Sequence, residues 1–105
     1  MKPKLKIYLS SKMTGCTNYN YHNFFRVQKV LQKLGWVVIN PARNFGSDQT
    51  LEYKDYMRAA MHDLLQADAV YVFGNWRDSE GVGFELHIAH KLGIPVLSRK
   101  GTEND

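Results

Sequence analysis

The chain lacks the features that would place a protein outside the cytoplasm or tie it to a bound cofactor. It has a single cysteine, Cys16, which excludes an internal disulfide and suits a reducing compartment. No apolar run approaches the roughly 20 residues that cross a bilayer. The basic start Met1-Lys2-Pro3-Lys4-Leu5-Lys6 leads into a strand-like segment rather than a signal core. Repeats, linkers and low-complexity tracts are missing, and so are the repeated glycines of a dinucleotide fingerprint and the Gly-Lys-Ser/Thr of a P-loop. The histidines His22, His62, His87 and His90 have no metal-ligand spacing. These absences predict a soluble cytoplasmic protein with no membrane partner, no cofactor and no metal.

With 105 residues and 44% apolar content, the sequence has material for one modest core, and residues 1–105 are expected to form a single domain. The net charge of +4 and a pI near 9.3 raise the question of a nucleic-acid partner. The basic residues are dispersed, however, from Lys2, Lys4 and Lys6 through Arg26, Lys29, Lys33, Arg58 and Arg77 to Lys100. Scattered charge of this kind is a solvated surface and remains compatible with a small anionic ligand.

Apolar and turn-forming segments alternate along the chain. Leu5 to Ser10 reads as a strand, followed by a polar loop and a helix with Phe24, Val27, Val30, Leu31 and Leu34 on one face, closed by Gly35. Trp36 to Asn40 is a second strand, stopped by Pro41, and Ala42 to Thr50 a loop long enough to act as a flap. A second helix turns Tyr53, Tyr56, Met57, Ala60, Met61 and Leu64 inward. Asp68 to Phe73 is a third strand, the segment around Glu85 a third helix, and Pro95 to Ser98 a last strand. Strict alternation of apolar strands with helices predicts a parallel sheet covered on both faces, with right-handed crossovers. Ligands bind such sheets outside the carboxyl ends of the strands, where strand order reverses. Three loops should therefore meet there, Ser10–Thr17, Asn40–Phe45 and Gly74–Gly81, placing Tyr8, Ser10, Lys12, Asp78, Ser79 and Glu85 around one cleft.

Glu85 is the anomaly of the third helix. At about 100° per residue it falls within the apolar arc of Val82, Leu86, Ile88, Ala89 and Leu92, while His87, His90 and Lys91 lie opposite. A carboxylate on a core-facing side must be hydrogen-bonded, protonated or useful. Two readings follow: it caps backbone or pairs with an arginine, or it is a nucleophile, whose commonest use is cleavage of a glycosidic bond through an oxocarbenium-like transition state. Gly81 and Gly83 just upstream keep side chains clear for a ligand. Tyr8, near the carboxyl end of its strand, is either core or the phenol that orients Glu85. Ser79 is placed to cap the third helix, where free N–H groups favour a phosphate; Lys12 with Thr14 and Gly15 offers a cation and donors for the same group. Asp63, at the edge of the second helix's apolar arc, could protonate a leaving base. Asp68 more simply starts the third strand. Trp76, in a loop expected to be exposed, is a base-stacking candidate, as are the aromatics Tyr19, Tyr21, Phe24 and Phe25, although Phe24 is needed for packing.

On these residues the chain resembles the nucleoside 2-deoxyribosyltransferase-like superfamily, and in particular a small branch of uncharacterised phage and prophage proteins. The resemblance runs through Ile7-Tyr8-Leu9 with Met13-Thr14-Gly15, Val38-Ile39-Asn40-Pro41, Tyr56-Met57-Arg58, Leu64 to Ala69, and Trp76 to Ala89, and is most specific at the Gly-x-x-x-Glu element of Gly81 and Glu85. It implies that Glu85 is the nucleophile and Tyr8 its orienting tyrosine. Six residues before the glutamate, transferases typically carry an aspartate, and the related deoxynucleoside 5′-monophosphate N-glycosidases a phosphate-binding serine; here stands Ser79. Lys12 and Thr14 match the phosphate-binding first loop of those hydrolases, although Ser11-Lys12 replaces the Gly-Pro usual in phage relatives. Where relatives place a carboxylate eight residues before the strand-starting aspartate, this chain has Ala60.

The expectation is thus an α/β, Rossmann-like three-layer sandwich with a parallel sheet of about four strands, ordered 2-1-3-4. It should bind nucleoside 5′-monophosphates in a site of Ser10, Lys12, Thr14, Gly15, Asn40, Trp76, Asp78, Ser79, Gly81 and Gly83, and cleave or transfer the base through Glu85, Tyr8 and Asp63. The alternative is a non-catalytic nucleotide-binding or sequestering protein, favoured by Ala60. A single-strand nucleic-acid binder is the remote third reading, to be marked by steep salt dependence. Because four short strands leave an incomplete cleft and relatives complete theirs with a neighbouring subunit, at least a homodimer is expected, formed through helix faces carrying Tyr53, Tyr56 and Met57.

Overall fold

The computed structural model describes residues 4–13, 16, 20–42 and 53–98. Thr14, Gly15 and Tyr19, the flap from residue 43 onward and the side chain of Tyr53 lie outside the described residues. The elements follow the alternation expected: β1 (Lys6–Ser10), α1 (Tyr21–Lys33), β2 (Val37–Ile39), α2 (Tyr53–Leu64), β3 (Ala69–Val72), a 3-10 turn (Trp76–Asp78), α3 (Glu80–Leu92) and β4 (Val96–Ser98). All strand pairings are parallel and the sheet order is β2-β1-β3-β4.

That order distributes the helices. From β1 the chain steps to one side and returns across β1 to β3 and on to β4, so right-handed crossovers put α1 on one face and α2 with α3 on the other. The alternating side chains of β1 and β3 then serve two separate cores. Ile7, Leu9, Ala69 and Phe73 pack with Phe24, Val27 and Leu31 of α1, Phe24 meeting Phe73 edge-on at 5.0 Å. Tyr8, Val70 and Val72 pack with Ala60 and Leu64 of α2 and with Val82 and Ala89 of α3. Gly35 ends α1 as expected; its φ of 101° is open to glycine without strain, and Trp36 N–H returns to the Leu31 carbonyl at 3.1 Å.

The helical faces are narrower than the apolar pattern suggested. On α1, Val30 and Leu34 are exposed and Gln28 takes a buried place; on α3, Leu92 is 53% exposed. The physical reason is that the sheet covers only one narrow arc of each helix. Val30 sits about 120° round from Phe24, and Leu34 and Leu92 lie at the very ends of their helices, where the sheet no longer covers them.

Candidate functional site

Residues of even number on β1 face the layer of α2 and α3, which places Tyr8 and Ser10 on one side of one strand, two positions apart. Glu85, one turn after Gly81 on α3, reaches the same point from above. Its carboxylate is only 6% exposed, whereas Phe84 beside it is 52% exposed, so the helix turns its acid inward and a phenylalanine outward. Ser10 Oγ donates to Glu85 Oε1 at 2.7 Å, and the Tyr8 hydroxyl donates to Oε2. Each carboxylate oxygen thus has its own hydroxyl, and among the described residues its partners are neither backbone groups nor an arginine.

Burial pushes the Glu85 carboxyl above the ordinary glutamate range, and the two hydroxyls oppose that push by stabilising the ionised form. The Tyr8 phenol is raised well above its usual value, first by burial and then by the charge and hydrogen bond of Glu85, with Asp63 adding to the effect. Asp63, half-buried on α2, is therefore within electrostatic reach of the Tyr8 phenol.

The strand ends around this triad are tied together at the reversal of strand order between β1 and β3. Ser11 Oγ donates to the Phe73 carbonyl at 2.6 Å, and Phe73 N–H meets the Ser10 carbonyl at 3.3 Å. Gly74, in the left-handed region at φ 64°, then turns the chain into the 3-10 turn. Ser79 caps α3, its Oγ accepting from Val82 N–H at 3.2 Å, a contribution of about 0.5–2 kcal/mol for caps of this kind.

The other expected site residues distribute as follows. Lys12 is half-buried in the loop after Ser11, Asp78 is exposed within the 3-10 turn, and Gly81 shares the Glu85 stripe of α3. Gly83 does not join them: it lies about 160° round the helix from Glu85, on an exposed face with open space about it. Asn40 is buried and occupied within the protein, its Nδ2 donating to Gln28 Oε1 at 2.8 Å and its Oδ1 accepting from Ala42 N–H at 2.9 Å, so it shapes the turn after β2. Trp76 is not exposed as expected. It is half-buried against the core that holds Tyr8, and the Arg77 guanidinium carbon sits 4.3 Å from its ring centre, because an indole at a strand end has apolar surface to cover. Asp68 acts at the far end of β1, where its Oδ2 accepts from Lys6 N–H at 2.8 Å.

Ser10, expected at the cleft, bonds the acid there, and one side chain, Gln28, escaped the sequence reading. The bond from Ser10 to Glu85 was signalled by its spacing of two from Tyr8, whereas nothing in the pattern marks Gln28 as the buried partner of Asn40. Among the described residues no cluster of His, Cys, Asp and Glu could hold a metal ion, and no helix is long and apolar enough to cross a membrane.

Comparison with known proteins agrees with this architecture. The sequence model of a family described as Domain of unknown function (DUF4406) matches residues 5–98. Among curated proteins none matches. Of solved structures, a 2-deoxyribosyltransferase from the psychrotolerant bacterium Bacillus psychrosaccharolyticus superposes with a TM-score of 0.70 at 24% identity, over 89% of this chain and 70% of its own. A conserved protein from Enterococcus faecalis V583 does so with a TM-score of 0.72 at 21% identity, over 91% of this chain and 63% of its own. The chain has the fold of a 2-deoxyribosyltransferase, Rossmann-like with a four-stranded parallel sheet.

Proposed function

The chain belongs to the DUF4406 family, and we propose that it is an N-glycosidase-like protein that binds nucleoside 5′-monophosphates and cleaves the base through Glu85. The observation that carries this reading is the buried carboxylate held by two hydroxyls at the carboxyl ends of the strands. A carboxylate taken out of water and held, among the described residues, by hydroxyls and not by a cation is a strong nucleophile toward a carbon carrying developing positive charge. The hydroxyls of Tyr8 and Ser10 aim it while leaving a lone pair on each oxygen.

In this reading a Glu85 oxygen attacks the anomeric carbon as the bond to the base breaks. The electron pair of that bond leaves with the base, and Asp63 supplies the proton the base takes up. Water, giving a proton back to the Asp63 carboxylate, then opens the glycosyl ester, releasing the sugar phosphate and returning the Glu85 carboxylate. Lys12 and Ser79 hold the phosphate: the lysine supplies charge, and the Ser79 hydroxyl, which accepts from Val82 N–H, keeps its own proton to donate. The likeness to a named 2-deoxyribosyltransferase supports a nucleoside-type ligand, and Ser79 is the residue that favours the phosphorylated form and the N-glycosidase branch. Cytoplasmic residence and assembly into at least a dimer complete the proposal, the latter through helical surface that includes the half-buried Tyr56 and Met57.

A second reading, binding without turnover, is favoured by Ala60, which is buried among apolar side chains of the Tyr8 core and brings no carboxylate to the leaving base. One experiment separates the two. The protein is incubated with a panel of ribo- and deoxyribonucleoside monophosphates, free base is followed by chromatography, and binding by calorimetry. Release of base is expected from at least one member. Binding without release would establish the sequestering function, and neither would overturn both.

A further inference from the structure

Asn20 is the residue before the first turn of α1, a position where an asparagine side chain ordinarily accepts from the helix's free N–H groups. Here it makes no such bond. Its Nδ2 instead donates to the Lys12 carbonyl at 3.1 Å and reaches Ser11 Oγ at 3.5 Å, while its Oδ1 accepts from Asn23 Nδ2 at 2.6 Å. The helix forgoes its side-chain cap, and Asn20 is also the one non-glycine residue at positive φ among those described, at 66°. A residue that gives up its cap and accepts a sparsely populated backbone conformation is held there by what its side chain reaches. It reaches the loop that carries the site: Ser11, whose hydroxyl closes onto Phe73, and Lys12, with Ser10 immediately before them bonded to Glu85.

We propose that Asn20 is a positioning residue for the site, its carboxamide clamping the Ser10–Lys12 segment so that the Ser10 hydroxyl stays on Glu85 and Lys12 faces the ligand's phosphate. The proposal rests on the nucleotide-binding reading for its consequence at Lys12, but its consequence at Glu85 is independent of any ligand. Without the clamp the Ser10 bond loosens, and the Glu85 carboxyl, held among the described residues by the hydroxyls of Tyr8 and Ser10, with Asp63 acting in turn on Tyr8, loses part of what favours its ionised form.

The test uses two variants of the full chain. Asn20→Gly removes the clamp and relieves the positive φ, so folding is preserved; Asn20→Asp tolerates the same backbone but has no N–H to donate. The Glu85 carboxyl is titrated by 13C NMR with labelled glutamate, assigned through Glu85→Gln, and affinity for a nucleoside 5′-monophosphate and its parent nucleoside is measured by calorimetry. Both variants are expected to melt within a few degrees of wild type, to titrate Glu85 at higher pH than wild type, and to bind the monophosphate about tenfold more weakly, the loss of one hydrogen bond's worth of alignment, with the nucleoside little affected. If the Glu85 titration in both variants coincides with wild type, Asn20 does not position the site and the proposal falls. If that titration moves while wild type binds no monophosphate, the positioning role stands and the nucleotide reading is what fails.

Discussion

Two carboxylates stand at opposite ends of β1 and are used in opposite ways. Asp68, exposed at the start of β3, accepts from the main-chain N–H of Lys6 at 2.8 Å, and its own N–H returns to the Lys6 carbonyl at 2.8 Å. It is a stitch between two strands, satisfied by backbone that cannot move without unpairing the sheet. Glu85, buried at the other end, is satisfied by two side-chain hydroxyls, which can rotate, exchange partners and leave lone pairs open. A carboxylate bonded to backbone is fixed by the architecture; one buried and bonded to hydroxyls is held by groups that can let it go, as the proposed chemistry requires.

The sharpest test of that difference is Glu85→Gln. Base release should fall by on the order of 10³-fold or more, as losses of nucleophiles do, while stability rises. A carboxyl raised by burial contributes stability that is fully present below its unfolded value near 4.3 and is lost as pH climbs through the folded value. Replacing it with a neutral amide removes that loss. The variant should therefore melt a few degrees above wild type at pH 7, roughly 4–8 °C per kcal/mol for a domain of this size, with the gain shrinking toward pH 4. Calorimetric scans across that range, beside a base-release assay, check both. An unchanged rate would place Glu85 with Asp68 among the structural acids.

Tyr8→Phe keeps the ring in the core and removes one of the two hydroxyls. A hydrogen bond to a charged group is worth about 1.5–3 kcal/mol, so turnover should fall about 10- to 100-fold. The acid limb of the pH–rate profile should also move to higher pH, since Glu85 loses a bond that favours its ionised form. At high pH the sign reverses in the mutant's favour. The raised phenol stabilises the fold below its unfolded value near 10, and that contribution is lost as pH rises through the folded value, so wild type should lose stability above about pH 10 where the mutant does not.

Asp68→Asn should do least. It weakens one acceptor at an exposed sheet end, costing about 0.5–1.5 kcal/mol, and thermal scans should show a drop of a few degrees with turnover unchanged. A loss of activity comparable to that of Tyr8→Phe would dissolve the distinction between the two ends.

Much of this was legible beforehand, for reasons that differ from residue to residue. The order of strands and helices follows from alternation, and Glu85 stood out because a charge inside an apolar arc is rare enough to read from one helix. Tyr8 and Asp68 were placed by where they fall on their strands. The misplacements on the helices share a cause: Val30, Leu34 and Leu92 are apolar yet exposed, because periodicity shows which side of a helix is oily and not how much of it the sheet covers. Trp76 was assigned to solvent since its segment is a loop, but packing against the Tyr8 core covers part of its ring. Asn40 was assigned to the ligand for lying at a strand end, and its buried partner Gln28 comes from a helix whose register the pattern alone does not fix.

The distance along the chain between Tyr8 and Glu85, 77 positions in a protein of 105, carries a kinetic consequence. No hairpin can join parallel neighbours; each pairing waits for a crossover to close, and loops of that length must be gathered before any contact rewards them. The acid and its two hydroxyls therefore meet only once β1 and α3 have been brought together across most of the chain. Until that moment Glu85 is hydrated, and in a chain interrupted during synthesis before α3 the hydroxyls of Tyr8 and Ser10 have no carboxylate to hold.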